Sequence, residues 1–147
     1  MAGFMHSLNI ISRCTQMQRT QKLKALGLCG GQVPYLHKLY RNPGMTQEEL
    51  SKSLYFQKSS VSRAISNLEK LGFVERRPCE ADRRCLRIYP TQKTADVMPL
   101  IQSVMTEWKS YLLEDLTDDE RETLAAIMTR VSERAQSYIQ REEAWDE

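Results

Sequence analysis

At 147 residues, 41% of them hydrophobic, the chain has the length and apolar content for one compact unit, or for one domain with extensions, around a buried core. No apolar run is long enough to span a bilayer, and the N-terminus lacks a charged flank followed by a continuous apolar segment, so secretion and membrane insertion are not expected and the cytoplasm is the expected location. The net charge of +2 hides a division: ten Lys/Arg against four Asp/Glu from Ser51 to Lys93, a balance of +6, and five against twelve from Glu107 to Glu147, a balance of −7. An evenly mixed solvated surface does not segregate in this way, and a basic middle is the footprint that phosphate binding requires.

Phe4, Leu8 and Ile11 open a helical pattern that is expected to run to Ala25. Val33, Leu36, Leu39 and Tyr40 mark a second, shorter helix, with Pro34 in the first turn, where a missing N–H is tolerated; Asn42-Pro43-Gly44 ends it. Thr46 followed by Glu49 is a capping box, which starts a third helix at about Gln47 and lets it run to Leu54. Tyr55-Phe56-Gln57 breaks the apolar spacing, and a new amphipathic pattern opens at Lys58. Val61, Ala64, Ile65, Leu68 and Leu71 fall on one stripe of this fourth helix; Ser59, Ser62, Arg63, Ser66 and Lys70 fall on the other.

Short hydroxyls and an arginine on one face suit a major groove, where serine approaches base edges and phosphates closely and arginine bonds guanine in bidentate fashion. The same face also suits an ordinary solvated helix. Gly72 has the place and chemistry of a helix C-terminal stop. Phe73–Arg77 and Leu86–Tyr89 then read as two short strands around a polar loop that carries Asp82, Arg83 and Arg84 to an exposed tip. An arginine at such a tip has the reach to enter a narrow minor groove.

From about Thr91 a long helix carries Val97, Leu100, Ile101, Val104, Trp108 and Leu112, with Pro99 expected to kink it. Thr117 with Glu120 forms a second capping box ahead of Leu124, Ile127, Val131, Ala135, Tyr138 and Ile139. The fold class expected is mainly α with a small β-hairpin wing: a winged helix-turn-helix domain over 45–91, preceded by N-terminal packing and dimerisation helices over 1–44 and followed by C-terminal dimerisation helices over 92–147.

In order and spacing, Leu50, Ser59-Ser60-Val61-Ser62-Arg63, Leu68-Glu69-Lys70-Leu71-Gly72-Phe73-Val74-Glu75-Arg76 and Asp82-Arg83-Arg84 resemble the MarR family of bacterial transcription regulators. The resemblance extends upstream through Leu26-Gly27-Leu28 and Gln32 and downstream through the two long helices. It implies a homodimer interlocked through its terminal helices, presenting two recognition helices to a near-palindromic site in double-stranded DNA. The DNA-binding residues are then Gln57, Lys58, Ser59, Ser60, Ser62, Arg63 and Asn67 on the recognition helix and Asp82, Arg83 and Arg84 on the wing, with Asp82 orienting an arginine. It implies as well a repressor that releases DNA on binding a small aromatic or phenolic effector in a pocket from the first, second and fifth helices. Met17, Tyr35, Trp108 and Tyr111 are the pocket candidates, and each also fits plain core spacing. Tyr55 stands where the family often has a glycine, Gln57 where it often has an acidic residue, and Pro90-Thr91-Gln92-Lys93-Thr94 alters both ends of the Leu-Thr-x-x-Gly that follows the wing.

Cys14, Cys29, Cys79 and Cys85 contain no Cys-x-x-Cys pair, and His6 and His37 are the two histidines, so no metal site is expected. Cys79 and Cys85 bracket the wing tip, and Cys14 lies in the first helix. A thiol-based redox-sensing regulator of the same fold would draw on these three; the plain alternative is four reduced thiols in a reducing compartment. A winged-helix protein-interaction module is a further alternative, although it has no use for the basic face. No nucleophile-base pairing or Gly-rich phosphate loop appears, so neither an enzyme nor a cofactor is expected.

Overall fold

A computed structural model of the chain describes residues 3–143. The elements in order are α1 (Phe4–Leu23), α2 (Val33–Arg41), α3 (Gln47–Leu54), α4 (Lys58–Lys70), β1 (Val74–Pro78), β2 (Leu86–Pro90), α5 (Gln92–Leu112) and α6 (Asp118–Glu143). The backbone divides into two compact units, Met1–Trp108 and Lys109–Glu147.

The first helix stops at Leu23 rather than Ala25, because Lys24–Leu26 tighten into a 3₁₀ turn closed by Gly27 at φ +74°. A second 3₁₀ turn, Gly30–Gln32, leads into α2. Gly30 lies against α1: its N–H donates to Thr20 Oγ1 at 2.7 Å, and a Cβ there would collide with the Gln16 carbonyl.

Both capping boxes form. Thr46 Oγ1 accepts from the Glu49 N–H at 3.1 Å while Glu49 Oε2 accepts from the Thr46 N–H at 3.2 Å, and Thr117 and Glu120 repeat the exchange at the start of α6. At the end of α4, Gly72 takes φ +83° and donates to the Glu69 carbonyl, while the Phe73 N–H reaches the Leu68 carbonyl at 2.9 Å. That is the Schellman arrangement, with Leu68 and Phe73 both buried as its apolar pair. It also displaces the first strand by one residue from its expected start, since Phe73 is spent on the cap.

Tyr55, in the turn between α3 and α4, adopts φ +58°, the left-handed conformation that costs a side-chain-bearing residue about 1–2 kcal/mol. The next residue compensates. The Phe56 ring stacks on Tyr35 with centroids 5.2 Å apart, and its carbonyl accepts from Ser51 Oγ at 2.6 Å. Packing around Phe56 therefore holds a turn that glycine would have entered without strain.

The apolar stripe of α4 enters the core through Val61, Ile65 and Leu68, which are fully buried with Leu36 and Leu39 of α2, Leu50 of α3, Phe73, Ile88 of β2, and Met98 and Ile101 of α5. Ala64 and Leu71 lie partly buried at its edge. In the hairpin, Val74 pairs with Pro90, Arg76 with Ile88 and Pro78 with Leu86. Met45 adds a one-residue third rung, its carbonyl accepting from the Ile88 N–H at 2.8 Å. This rung ties the wing to the segment before α3. The start of α5 is pinned to the end of α4 by Thr91 Oγ1 on the Gly72 carbonyl, Lys93 Nζ on the Leu71 carbonyl and buried Thr94 Oγ1 on the Phe73 carbonyl. Helix α5 runs on through Pro99 to Leu112. In the second unit, none of the α6 residues whose burial is described is buried.

Candidate nucleic-acid interface

Burying Val61, Ile65 and Leu68 turns the opposite side of α4 to solvent. Lys58, Ser59, Arg63 and Asn67 are exposed there, Ser60 and Ser62 are half-buried, and Gln57 is exposed at the N-cap with no side-chain cap bond. The first turn of α4 thus combines free backbone N–H groups, a positive helix end and short hydroxyls. Ser66, on the same polar side, is committed elsewhere: its hydroxyl accepts from Arg76 at 3.2 Å.

The wing tip is shaped by Asp82. Its Oδ1 accepts the backbone N–H of Arg84 at 3.0 Å, and its carbonyl accepts the N–H of Cys85 at 3.1 Å. Asp82 thus bonds the backbone at Arg84, whose guanidinium has no partner among the described residues. Arg84, Asp82, Cys85 and Leu86 line a cleft against Thr46, Gln47 and Glu48, so the tip lies beside the first turn of α3.

The ten basic residues of the positive stretch separate into two groups of five. Lys52 pairs with Glu48 at 3.6 Å, Arg76 with Glu69 at 3.3 Å, and Arg77 with Glu75 while lying 4.4 Å over the Tyr89 ring. Arg87 donates to the Gly44 carbonyl at 2.8 Å and Lys93 to the Leu71 carbonyl at 2.6 Å. Lys58, Arg63, Lys70, Arg83 and Arg84 are exposed and have no side-chain partner among the described residues. Four of these five are residues that the sequence pointed to. A cation already paired loses its partner on meeting phosphate; these five do not.

Sequence reasoning attached no role to Arg76. Its guanidinium donates to Glu69 Oε1, Gln47 Oε1 and Ser66 Oγ, and its backbone N–H donates to Glu69 Oε2. The one signal available was its place in the Leu68–Arg76 run, seven residues after Glu69.

All four cysteines are free thiols. Cys14 is exposed on α1, whereas Cys79 and Cys85 oppose each other at the base of the tip, with the Cys79 N–H donating to the Cys85 carbonyl at 2.9 Å. The Cys79 thiol, as hydrogen-bond partner, is the first cause that raises the Cys85 pKa, with smaller contributions from desolvation and Asp82 against an opposing Arg87. Among the described residues, no group of three or more His, Cys, Asp or Glu is placed to hold a metal ion, and no helix is long and apolar enough to cross a membrane. Of the pocket candidates, Tyr35 is core, Trp108 donates to Thr15 Oγ1 at 2.8 Å, and Met17 and Tyr111 are exposed.

A profile of the MarR family matches residues 20–84. The HTH-type transcriptional regulator YybA of Bacillus subtilis (strain 168) is 30% identical over 144 residues, which cover 96% of each chain. A MarR transcriptional regulator from Methanosarcina mazei Go1 superposes with a TM-score of 0.86 at 29% identity, over 90% of this chain and 96% of that one. A MarR family regulator from Listeria monocytogenes, solved in complex with a 26mer DNA, does so with a TM-score of 0.86 at 27% identity, over 93% and 91%. With the capped helices, the wing and the unpaired basic face in their places along one chain, this protein belongs to the MarR family of transcriptional regulators and is not an enzyme.

Proposed function

We propose that the protein is a homodimeric repressor that binds a near-palindromic site in double-stranded DNA, with α4 in the major groove and the wing in the adjacent minor groove, and that it acts in the cytoplasm. The observation that carries this reading is the set of five exposed, unpartnered cations on α4 and the wing. Arg63 with the Ser59, Ser60 and Ser62 hydroxyls reads base edges, Gln57, Lys58 and Asn67 flank them, and Arg83 and Arg84 follow the minor groove. The Listeria relative held on DNA supports the same use of this fold. A second copy of the chain is the partner that covers the apolar residues α1 exposes at Phe4, Met5, Ile10 and Ile11 and those α6 exposes at Leu124, Ile127, Met128 and Ile139.

Release by a small aromatic effector is supported by a cationic group on α1 and α2. Gln18 Oε1 and Arg19 Nε are buried without a hydrogen-bond partner among the described residues. The His37 pKa is depressed by burial first and then by Arg41, Arg19 and Lys38. An acidic phenol meets both demands, its carboxylate accepting from Arg19 Nε and adding negative charge while its hydroxyl donates to Gln18 Oε1.

The test is selection of genomic fragments by the purified protein, followed by titration of the recovered duplex at several salt concentrations. An inverted repeat bound by a dimer is expected. If all five cations of both protomers met phosphate, the slope of log K against log salt would reach about −9, so a shallower slope counts the contacts made. Arg84→Ala is expected to cost about 1–3 kcal/mol of binding and to flatten that slope by about two, one contact per protomer. Arg63→Ala is expected to lower affinity for the selected site more than for random duplex; equal loss on both would make Arg63 a phosphate contact. Selection that recovers no DNA at all favours a protein-interaction module.

A further inference from the structure

Arg76 has a side chain 19% exposed and joins three elements at one point: α3 through Gln47, 2.8 Å away, and α4 through Ser66 and Glu69, while it belongs to β1 itself. Glu69 completes the joint from the other direction, using one carboxylate oxygen for the guanidinium and the other for the backbone N–H of Arg76. Every other polar tie of the wing described above, from Met45 or from Arg87 to Gly44, runs to the segment before α3. Among the described residues, the Arg76 cluster is therefore the side-chain joint between the wing strands and the body of α4, beside the bond from Thr91 Oγ1, one residue past β2, to the Gly72 carbonyl that follows α4.

We propose that Arg76 is a positioning residue that fixes the wing against the recognition helix, so that Arg84 and Arg63 meet neighbouring grooves in a set register. The proposal rests on the reading of α4 and the wing as the DNA-binding parts. A planar guanidinium suits the task, because it aims several donors at once at acceptors on separate elements, which a lysine ammonium on a flexible stem does not reproduce. Arg76 touches no DNA in this arrangement; it acts through Arg84. Holding the wing in advance removes an ordering cost that binding would otherwise carry.

The test has one readout without DNA and one with it. In hydrogen exchange on the full-length protein, Arg76→Ala is expected to speed exchange of the β1 and β2 amides about ten-fold while leaving α2 unchanged. Unchanged wing exchange overturns the proposal whatever the DNA measurements give. On the selected duplex, Arg84→Ala is expected to cost about ten-fold in the native background and less than about two-fold in Arg76→Ala, whereas the cost of Arg63→Ala stays the same in both. A general loss of structure would move both costs together, and equal Arg84 costs in the two backgrounds also overturn the proposal. Arg76→Lys, which keeps one charge for Glu69, is expected to fall between. If Arg76→Ala melts with the whole domain, Gln47→Ala removes a single acceptor, and the same selective loss of the Arg84 effect is expected, with its absence counting against the joint. Faster wing exchange with no Arg84 effect in the native chain would leave the joint standing and remove the wing from the DNA reading.

Discussion

Ile127→Glu on α6 is expected to turn the protein into a monomer at micromolar concentration and to weaken operator binding by at least about 100-fold, because a monomer engages one half-site without the effective concentration that links it to the second. Ile127 is 49% exposed, and it shares its stripe with Leu124, Met128 and Val131 at spacings of three and four. Helix α6, Asp118–Glu143, buries none of the residues whose burial is described, and a helix draws most of its stability from an apolar face packed on a partner. Its apolar stripe therefore needs a partner, and a carboxylate placed in that contact must either be desolvated or break it. Sedimentation of wild type and variant, with titration of the selected duplex, measures both parts. A dimeric variant with native affinity would exclude α6 from the interface; a monomeric wild type would exclude the homodimer.

Phe73→Ala is expected to cost about 3–5 kcal/mol of unfolding free energy, a large part of the 5–15 kcal/mol typical of a domain. The ring is fully buried among residues of α4, the hairpin and α5, and the Lys93 ammonium lies 4.5 Å over its face. Its backbone closes the α4 cap and accepts from Thr91 and Thr94, and those bonds survive the substitution, so the loss measures packing. Urea unfolding should show a lower midpoint with an unchanged slope. A cost below about 1 kcal/mol would mean that the cavity refills and that the junction of recognition helix, wing and α5 is not closely packed.

The helix boundaries and the cap chemistry were legible because they depend on residues three or four apart. Thr46 with Glu49, Thr117 with Glu120, and Gly72 after Lys70 act through bonds the chain makes with itself over one turn. The buried stripe of α4 followed from period alone, and the polar residues on its other side followed with it. Where strain entered, local rules reached less far. Tyr55 has the wrong side chain for a left-handed turn, and what holds it there is Phe56 on Tyr35, a contact with a different helix.

The sequence by itself determined the order of elements, the capped ends, the core face of α4 and the gathering of positive charge in the middle of the chain, since all of these are local or additive properties. Tertiary structure decided most of which of the ten cations remain open: Arg76, Arg87 and Lys93 meet partners seven or more residues away, while Lys52 with Glu48 and Arg77 with Glu75 pair locally. Arg76, Arg77, Arg87, Lys52 and Lys93 are spent on internal partners, and Lys58, Arg63, Lys70, Arg83 and Arg84 are not. It alone made Met45 a third rung of the wing and placed Arg76 against Gln47, 29 residues earlier in the chain. A hydrogen bond needs a donor and an acceptor within about 3 Å, and for residues so distant in sequence that meeting is set by how the helices pack around Phe73 and Leu68 rather than by any spacing along the chain.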